Sequence, residues 1–177
     1  IISEYHYRNP EFFDRIERIL IYYKKDITTQ FTNYEIYDIF QNDRRLLLFL
    51  IKNSFITVDQ TISEMILHHK ISSTSQFFYP EIKEFIKENE KEGILLNIQK
   101  NWDDVFEHFD EKRLKGENDS YLCQLIRDDK VEEFIQYFNK NNISINANIK
   151  DSIFETNAYL TENEGEISLI DYAAFYG

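Results

Sequence analysis

An all-α fold of antiparallel helical hairpins, solenoid-like in arrangement, is predicted by three observations. Four Gly and two Pro in 177 residues are too few for the turns of a β-sandwich or the phosphate-binding loops of nucleotide-binding α/β folds. A hydrophobic content of 42%, with fifteen Phe and twelve Tyr, offers enough apolar area to offset the entropy of ordering. Apolar residues also recur at helical spacing behind capping signals along most of the chain. A chain of this length buries about 70% of the surface its unfolded form exposes, so one well-filled core is expected.

The first helix is expected after Asn9-Pro10, where Asn caps and Pro takes the first helical position, with Phe12, Ile16, Ile19, Leu20 and Tyr23 on its inner face and an end near Lys25. Thr32-Asn33-Tyr34-Glu35 has the spacing of a capping box and opens a short helix through Phe40. From Asp43 to Asn53 the run Leu46 to Ile51 is apolar all round, which marks a helix buried between layers and the centre of the core. Thr57-Val58-Asp59-Gln60 is a second capping box, ahead of a helix with Ile62, Met65, Ile66 and His69 inward. Pro80 starts a segment with Ile82, Phe85 and Ile86 on one face, and Gly93 ends it. Asn101 caps a helix through Lys115 with Trp102, Val105, Phe106 and Phe109 inward. Gly116 stops it, and acids early with Lys112, Arg113 and Lys115 late suit the helix dipole. The small, polar stretch from Lys115 to Asp119 divides an N-terminal helical domain, 1–118, from a repeat-like part, 119–177.

The final ten residues, Ser168 to Gly177, match the first helix of an ankyrin repeat, T-P-L-H-x-A-A-x-x-G. Ser168 is the capping hydroxyl, Ile170 the inward apolar residue, Ala173 and Ala174 the close-approach pair, and Gly177 the turn glycine. Ser120 to Asp129 aligns beneath them, with Leu122 at the place of Ile170 and Leu125-Ile126 at the place of the alanines. Val131, Phe134, Ile135 and Phe138 then form a second amphipathic helix, and Asn142 to Asn146 resembles the closing turn, with Asn142 able to take the left-handed conformation of the usual glycine. Residues 120–146 are thus a degenerate ankyrin-like unit, and 168–177 the start of a truncated one. The starts lie 48 residues apart, about 15 more than the usual period of about 33. Within that insertion Ser152-Ile153-Phe154-Glu155 is another capping box, predicting a short extra helix with Phe154, Ala158 and Tyr159 at helical spacing; Thr161 to Glu166 is expected to be exposed and mobile.

The segments Tyr121-Leu122-Cys123, Ile126-Arg127, Val131 to Ile135, Asn141 to Ser144, Ser152 to Asn157 and Leu169 to Phe175 resemble the head region of the large ankyrin-repeat families of parasitic protists. There a helical domain of unknown function precedes the ankyrin array. The resemblance implies an architecture and a protein-binding role, and it carries no catalytic residues onto this chain. Together with the opening on Ile1 and the ankyrin-like end, it leads to the expectation of a piece of a longer scaffold.

The net charge of −12, with four Lys/Arg against eleven Asp/Glu from Asp119 onward, repels phosphate backbones and argues against nucleic acid. The longest apolar run is far short of a membrane span. One cysteine, Cys123, forms no internal disulfide, so a reducing, intracellular and cytoplasmic setting is expected, with Cys123 as a buried, inert thiol. No metal site or cofactor is expected. His68 and His69 are adjacent and point about 100° apart, and His6 and His108 have no partner at ligand spacing. Asp103, Asp104, Glu107, Asp110 and Glu111 cluster without the unequal environments that catalytic carboxylates need. Phosphate-loop, dinucleotide, zinc-protease and nucleophile-elbow motifs are all missing. The expected function is a non-catalytic interaction scaffold with an unidentified protein partner, and Asp128, Asp129, Glu132 and Glu133 are the candidate contacts for a basic one. The alternatives are an adaptor that selects substrates for an attached enzyme activity and a purely structural cap of the array.

Overall fold

The computed structural model describes residues 10–67, 73–86, 108–161 and 167–176. All regular structure among them is helical. Helix α1 (Pro10–Tyr22) does not run on to Lys25: the chain breaks at Tyr23 and resumes as α2 (Lys24–Gln30). Phe13, which the expected inner face leaves out, is buried, with the Arg45 guanidinium 3.8 Å from its ring centroid, whereas Ile19 and Tyr23 are exposed; the Phe12 side chain lies outside the described residues. Leu20 and Ile27 still reach the core edge.

Helix α3 (Asn33–Phe40) opens on the expected capping box. Thr32 Oγ1 accepts from the Glu35 N–H at 3.3 Å, and Glu35 Oε2 accepts from the Thr32 N–H at 2.8 Å. It packs on α4 (Arg44–Lys52), capped by Asp43 Oδ1 on the Leu46 N–H at 2.9 Å. Leu46, Leu47, Leu48 and Leu50 are buried, so α4 is the centre of the core. The start of α5 (Gln60–Leu67) departs from expectation: Asp59, not Thr57, caps, its Oδ1 accepting from the Ile62 N–H at 2.9 Å. The Thr57 backbone instead exchanges two hydrogen bonds with the Asn33 amide, of 2.7 and 2.8 Å, pinning the loop to the start of α3. Ile62 and Ile66 are buried as expected; His68 and His69 lie outside the described residues.

A helix that periodicity does not announce, α6 (Ser73–Phe77), precedes a single turn around Pro80, α7 (Tyr79–Ile82). Phe77, Phe78, Ile82 and Ile86 complete the core, and Gly93 lies outside the described residues. The helix expected from Asn101 to Lys115 is described only from its end. His108 has φ +68°, a left-handed conformation that no continuous helix passes through, so α8 (Phe109–Lys115) starts afresh behind it. Gly116, at φ +69°, ends α8 as expected. Helix α8 packs on α4, and there Arg113, 1% exposed, is held by Glu81, by Asp110 and by the Phe77 carbonyl at 2.9 Å.

The remaining helices are α9 (Tyr121–Arg127), α10 (Val131–Lys140), the single turn α11 (Ala158–Thr161) and α12 (Leu169–Tyr176). Helix α9 forms a hairpin with α10 and carries α12 on another side. Asn142 is left-handed at φ +49°, as the closing turn requires. The run 147–149 then pairs antiparallel with 167–169, through Ile149 N–H to the Ile167 carbonyl at 2.8 Å and Leu169 N–H to the Ala147 carbonyl at 3.0 Å. The insertion therefore leaves and returns through a two-chain base.

Candidate interaction surface and the junction behind it

The capping hydroxyl of α12 acts as its position predicts. Ser168 Oγ accepts from the Asp171 N–H at 3.1 Å, and Asp171 Oδ2 accepts from the Ser168 N–H at 3.2 Å, a capping box with Asp in place of Glu. Ser120 makes no such cap; its N–H is taken by Asn118 Oδ1 at 3.0 Å. In α12 the buried residues are Leu169 and Tyr172, while Ile170, expected to pack inward, is 52% exposed and Ala174 is exposed too. Ile170 and Ala174, four residues apart, thus share an exposed side of α12.

Helix α10 behaves similarly. Val131, Phe134, Ile135 and Phe138 form the expected stripe, but no residue of α10 is buried; Val131 is 57% and Ile135 52% exposed. On the α9 side, Tyr137 meets Tyr121 edge to face with centroids 5.0 Å apart, and the Phe134 and Phe138 rings stack at 5.7 Å. The four candidate acids sit at the N-terminal end of this stripe. Asp128 ends α9, Asp129 occupies the left-handed link at φ +53°, and Glu132 and Glu133 fill the first turn of α10. All four are exposed, and Lys130, 3.7 Å from Glu133, is the basic residue among them. Asp129, Glu132 and Glu133, with Lys130 and Val131, line a shallow concavity of about 400 Å³ at this helix end, and Asp128 lies outside its lining.

The insertion folds in a way the sequence pattern missed. Ser152 does not open a helix: its Oγ accepts from the Phe154 N–H at 3.1 Å while donating to Asp119 Oδ1 at 2.7 Å, and the chain runs on without helical bonding to Asn157. Among the described residues of the insertion α11 alone is helical, so Phe154 and Ala158 do not share a helix. Phe154, Glu155, Thr156 and Asn157 are all buried. Phe154 packs edge to face on Phe109, and Arg44, buried at the start of α4, donates to the carbonyls of Ile153 (3.3 Å) and Glu155. Thr156 donates through both N–H (3.1 Å) and Oγ1 (2.9 Å) to the Gly116 carbonyl. Asn118 Nδ2 donates to the Lys150 carbonyl at 2.8 Å, and Arg127 donates to the Asn118 carbonyl at 2.8 Å and to the Tyr172 hydroxyl. The strap 150–157 is therefore a polar tie from α4 and the end of α8 to α9 and α12. One sequence signal pointed to it, the polar run Glu155-Thr156-Asn157 directly after Phe154; Arg44 was legible only as a flank of the apolar run.

Burial sets the ionisation of this region. It pushes the Cys123 thiol up, against a smaller opposing pull from Ser120 and Arg127, and Cys123 is buried as expected. It likewise raises Tyr172 and Tyr176. Glu155 is raised by burial although its carboxylate accepts the N–H groups of Asn118 (3.1 Å) and Asn157 (3.0 Å). Asp110 is held below the usual range by Arg113 and Glu111 pairs with His108 at 2.9 Å, while Asp103, Asp104 and Glu107 lie outside the described residues. Among the described residues no three His, Cys, Asp or Glu side chains gather as a metal would need, and no helix is long and apolar enough to cross a membrane. A second cleft, about 230 Å³, opens between Tyr37, Gln41, Arg44, Met65 and Thr74.

These features define an all-α protein with a hairpin whose outer apolar face is exposed. No family model, no curated protein and no solved structure matches the chain.

Proposed function

We propose that this chain is a protein-binding scaffold without catalytic activity of its own, its helices forming the head of an ankyrin-type array. Residues 1–118 supply the helical leader and 119–177 the first, degenerate unit and the start of the next. The observation that carries this reading is the position of α12 on α9, with the 147–149/167–169 pairing joining the end of one unit to the beginning of another. Ankyrin units stack helix on helix, so each unit buries its apolar side only against its neighbours. The exposure of Ile170 and Ala174 is what this predicts for a unit whose second helix is not in contact. A protein partner suits the acidic surface better than nucleic acid or an anionic membrane, and the free, buried Cys123 is compatible with a reducing, intracellular place of action.

The test is a fusion of consensus ankyrin hairpins after Gly177. Stacking is expected to give one cooperative unfolding transition at a raised melting temperature, and Ile170→Asp to uncouple the two parts. Two independent transitions, with this chain melting where it melts alone, would refute the array.

A further inference from the structure

We propose that the exposed edge of α10 is the seat of a basic amphipathic helix of a separate protein, lying antiparallel to α10. The inference rests on the scaffold reading and names the partner class for it. Val131, Phe134, Ile135 and Phe138 recur at i, i+3, i+4 and i+7, the spacing into which the ridges of another helix interlock. Helix α9 covers α10 along Tyr121 and Tyr137, which leaves Val131 and Ile135, each more than half exposed, on the open side. Ten residues make a seat about 15 Å long, room for roughly three turns of a partner.

Charge decides which occupant fits. Four carboxylates, Asp128, Asp129, Glu132 and Glu133, crowd the N-terminal end of the stripe against Lys130 alone, and Lys130 lies beside Glu133. A second copy of this chain would bring the same acids against them if parallel and Lys140 alone if antiparallel, and an anionic bilayer would bring its headgroups, so neither supplies the several positive charges that four carboxylates call for. A helix with lysines or arginines at that end is attracted. Helices favour basic residues in their last turn, so the partner's C-terminus belongs beside Asp128 to Glu133 and its N-terminus beside Lys140, the basic residue in the last turn of α10.

The test is fluorescence anisotropy of a labelled synthetic helix against the whole 177-residue chain. The probe has roughly 18 residues, leucines at helical spacing on one face and lysines in its last two turns. Three controls accompany it: the lysines moved to the first two turns, glutamates in their place, and the same composition with the leucines scattered. Tight binding of the first peptide alone is expected. Ile135→Asp, at an exposed position whose retained helicity is checked by circular dichroism, is expected to weaken it by about tenfold or more. Asp129→Asn with Glu132→Gln, which keeps a residue tolerant of the left-handed link, is expected to weaken it several-fold and flatten its salt dependence. No binding, equal binding of the scattered peptide, or indifference to Ile135→Asp would each overturn the proposal. So would sedimentation showing a dimer that Ile135→Asp dissociates, since a second copy would then hold the seat. A failed peptide together with a successful ankyrin fusion would remove this partner and leave the scaffold standing.

Discussion

Replacing Gly116 by alanine tests whether the strap is tied to the end of α8 as described. Gly116 has φ +69°, and an alanine there costs about 1–2 kcal/mol from its own Cβ. That Cβ would also lie 2.6 Å from Thr156 Oγ1 and 3.1 Å from Arg45 Cδ. The threonine is fixed, because its N–H and Oγ1 both donate to the Gly116 carbonyl, so relieving the clash breaks a buried hydrogen bond or shifts packed chain, at about 1–3 kcal/mol. The sum is about 2–5 kcal/mol. For a chain of this size it lowers the melting temperature by roughly 5–15 °C. Thermal and urea unfolding followed by circular dichroism measure it. Thr156→Ala alone should cost about 1 kcal/mol for the lost hydrogen bond, and the double variant should be more stable than additivity allows by about 1–2 kcal/mol, because the steric part disappears with the threonine side chain. A Gly116→Ala loss below about 0.5 kcal/mol, or strict additivity with Thr156→Ala, would show that the strap does not press on Gly116.

Two further outcomes follow from the buried polar groups. Glu155 has its carboxyl pKa raised by burial above the ordinary 4.5, so the folded state holds its proton longer than the unfolded one. Its contribution to stability is therefore fully present at low pH and declines as pH rises from the ordinary carboxylate range through the raised value. Glu155→Gln should flatten that part of the stability–pH profile, and an unchanged profile in urea titrations at several pH values would contradict the assignment. Arg113→Ala strands the buried end of Glu81 and leaves the Phe77 carbonyl unmatched, and should cost about 3–5 kcal/mol; a melting temperature within a degree or two of the parent would show the guanidinium to be dispensable.

Local signals in the sequence located much of this molecule because they act over one turn of chain. Thr32 with Glu35, Gly116 after Lys115, Ser168 ahead of α12 and Asn142 after α10 all sit where their chemistry demands. The run Leu46–Ile51 identified the central helix, since no partly solvated helix tolerates so many apolar neighbours. The same local logic failed where a residue had a distant partner. The Thr57 backbone is held by the Asn33 amide, and the cap falls to Asp59. Ser152 was engaged by Asp119, and the carbonyls of Ile153 and Glu155 by Arg44 over a separation of more than a hundred residues, so a capping pattern became a strap. The left-handed His108 set the start of α8, which its neighbours' helical spacing did not mark.

The candidate acids were legible as charges, and their setting was not. Sequence periodicity marked Val131, Phe134, Ile135 and Phe138 as one apolar face, yet periodicity cannot say whether a face is covered. By itself, then, the sequence determined that this chain folds into helices, where α3 and α4 begin and end, where α8 ends and where α10 and α12 begin, because capping and amphipathicity are settled within a turn or two. Only the tertiary structure decided which of those faces meet, that the insertion 150–157 binds the N-terminal helices to the hairpin, and that Val131, Ile135 and Ile170 remain open to solvent. Those outcomes depend on contacts between segments remote in the chain, whose competing partners no local pattern records.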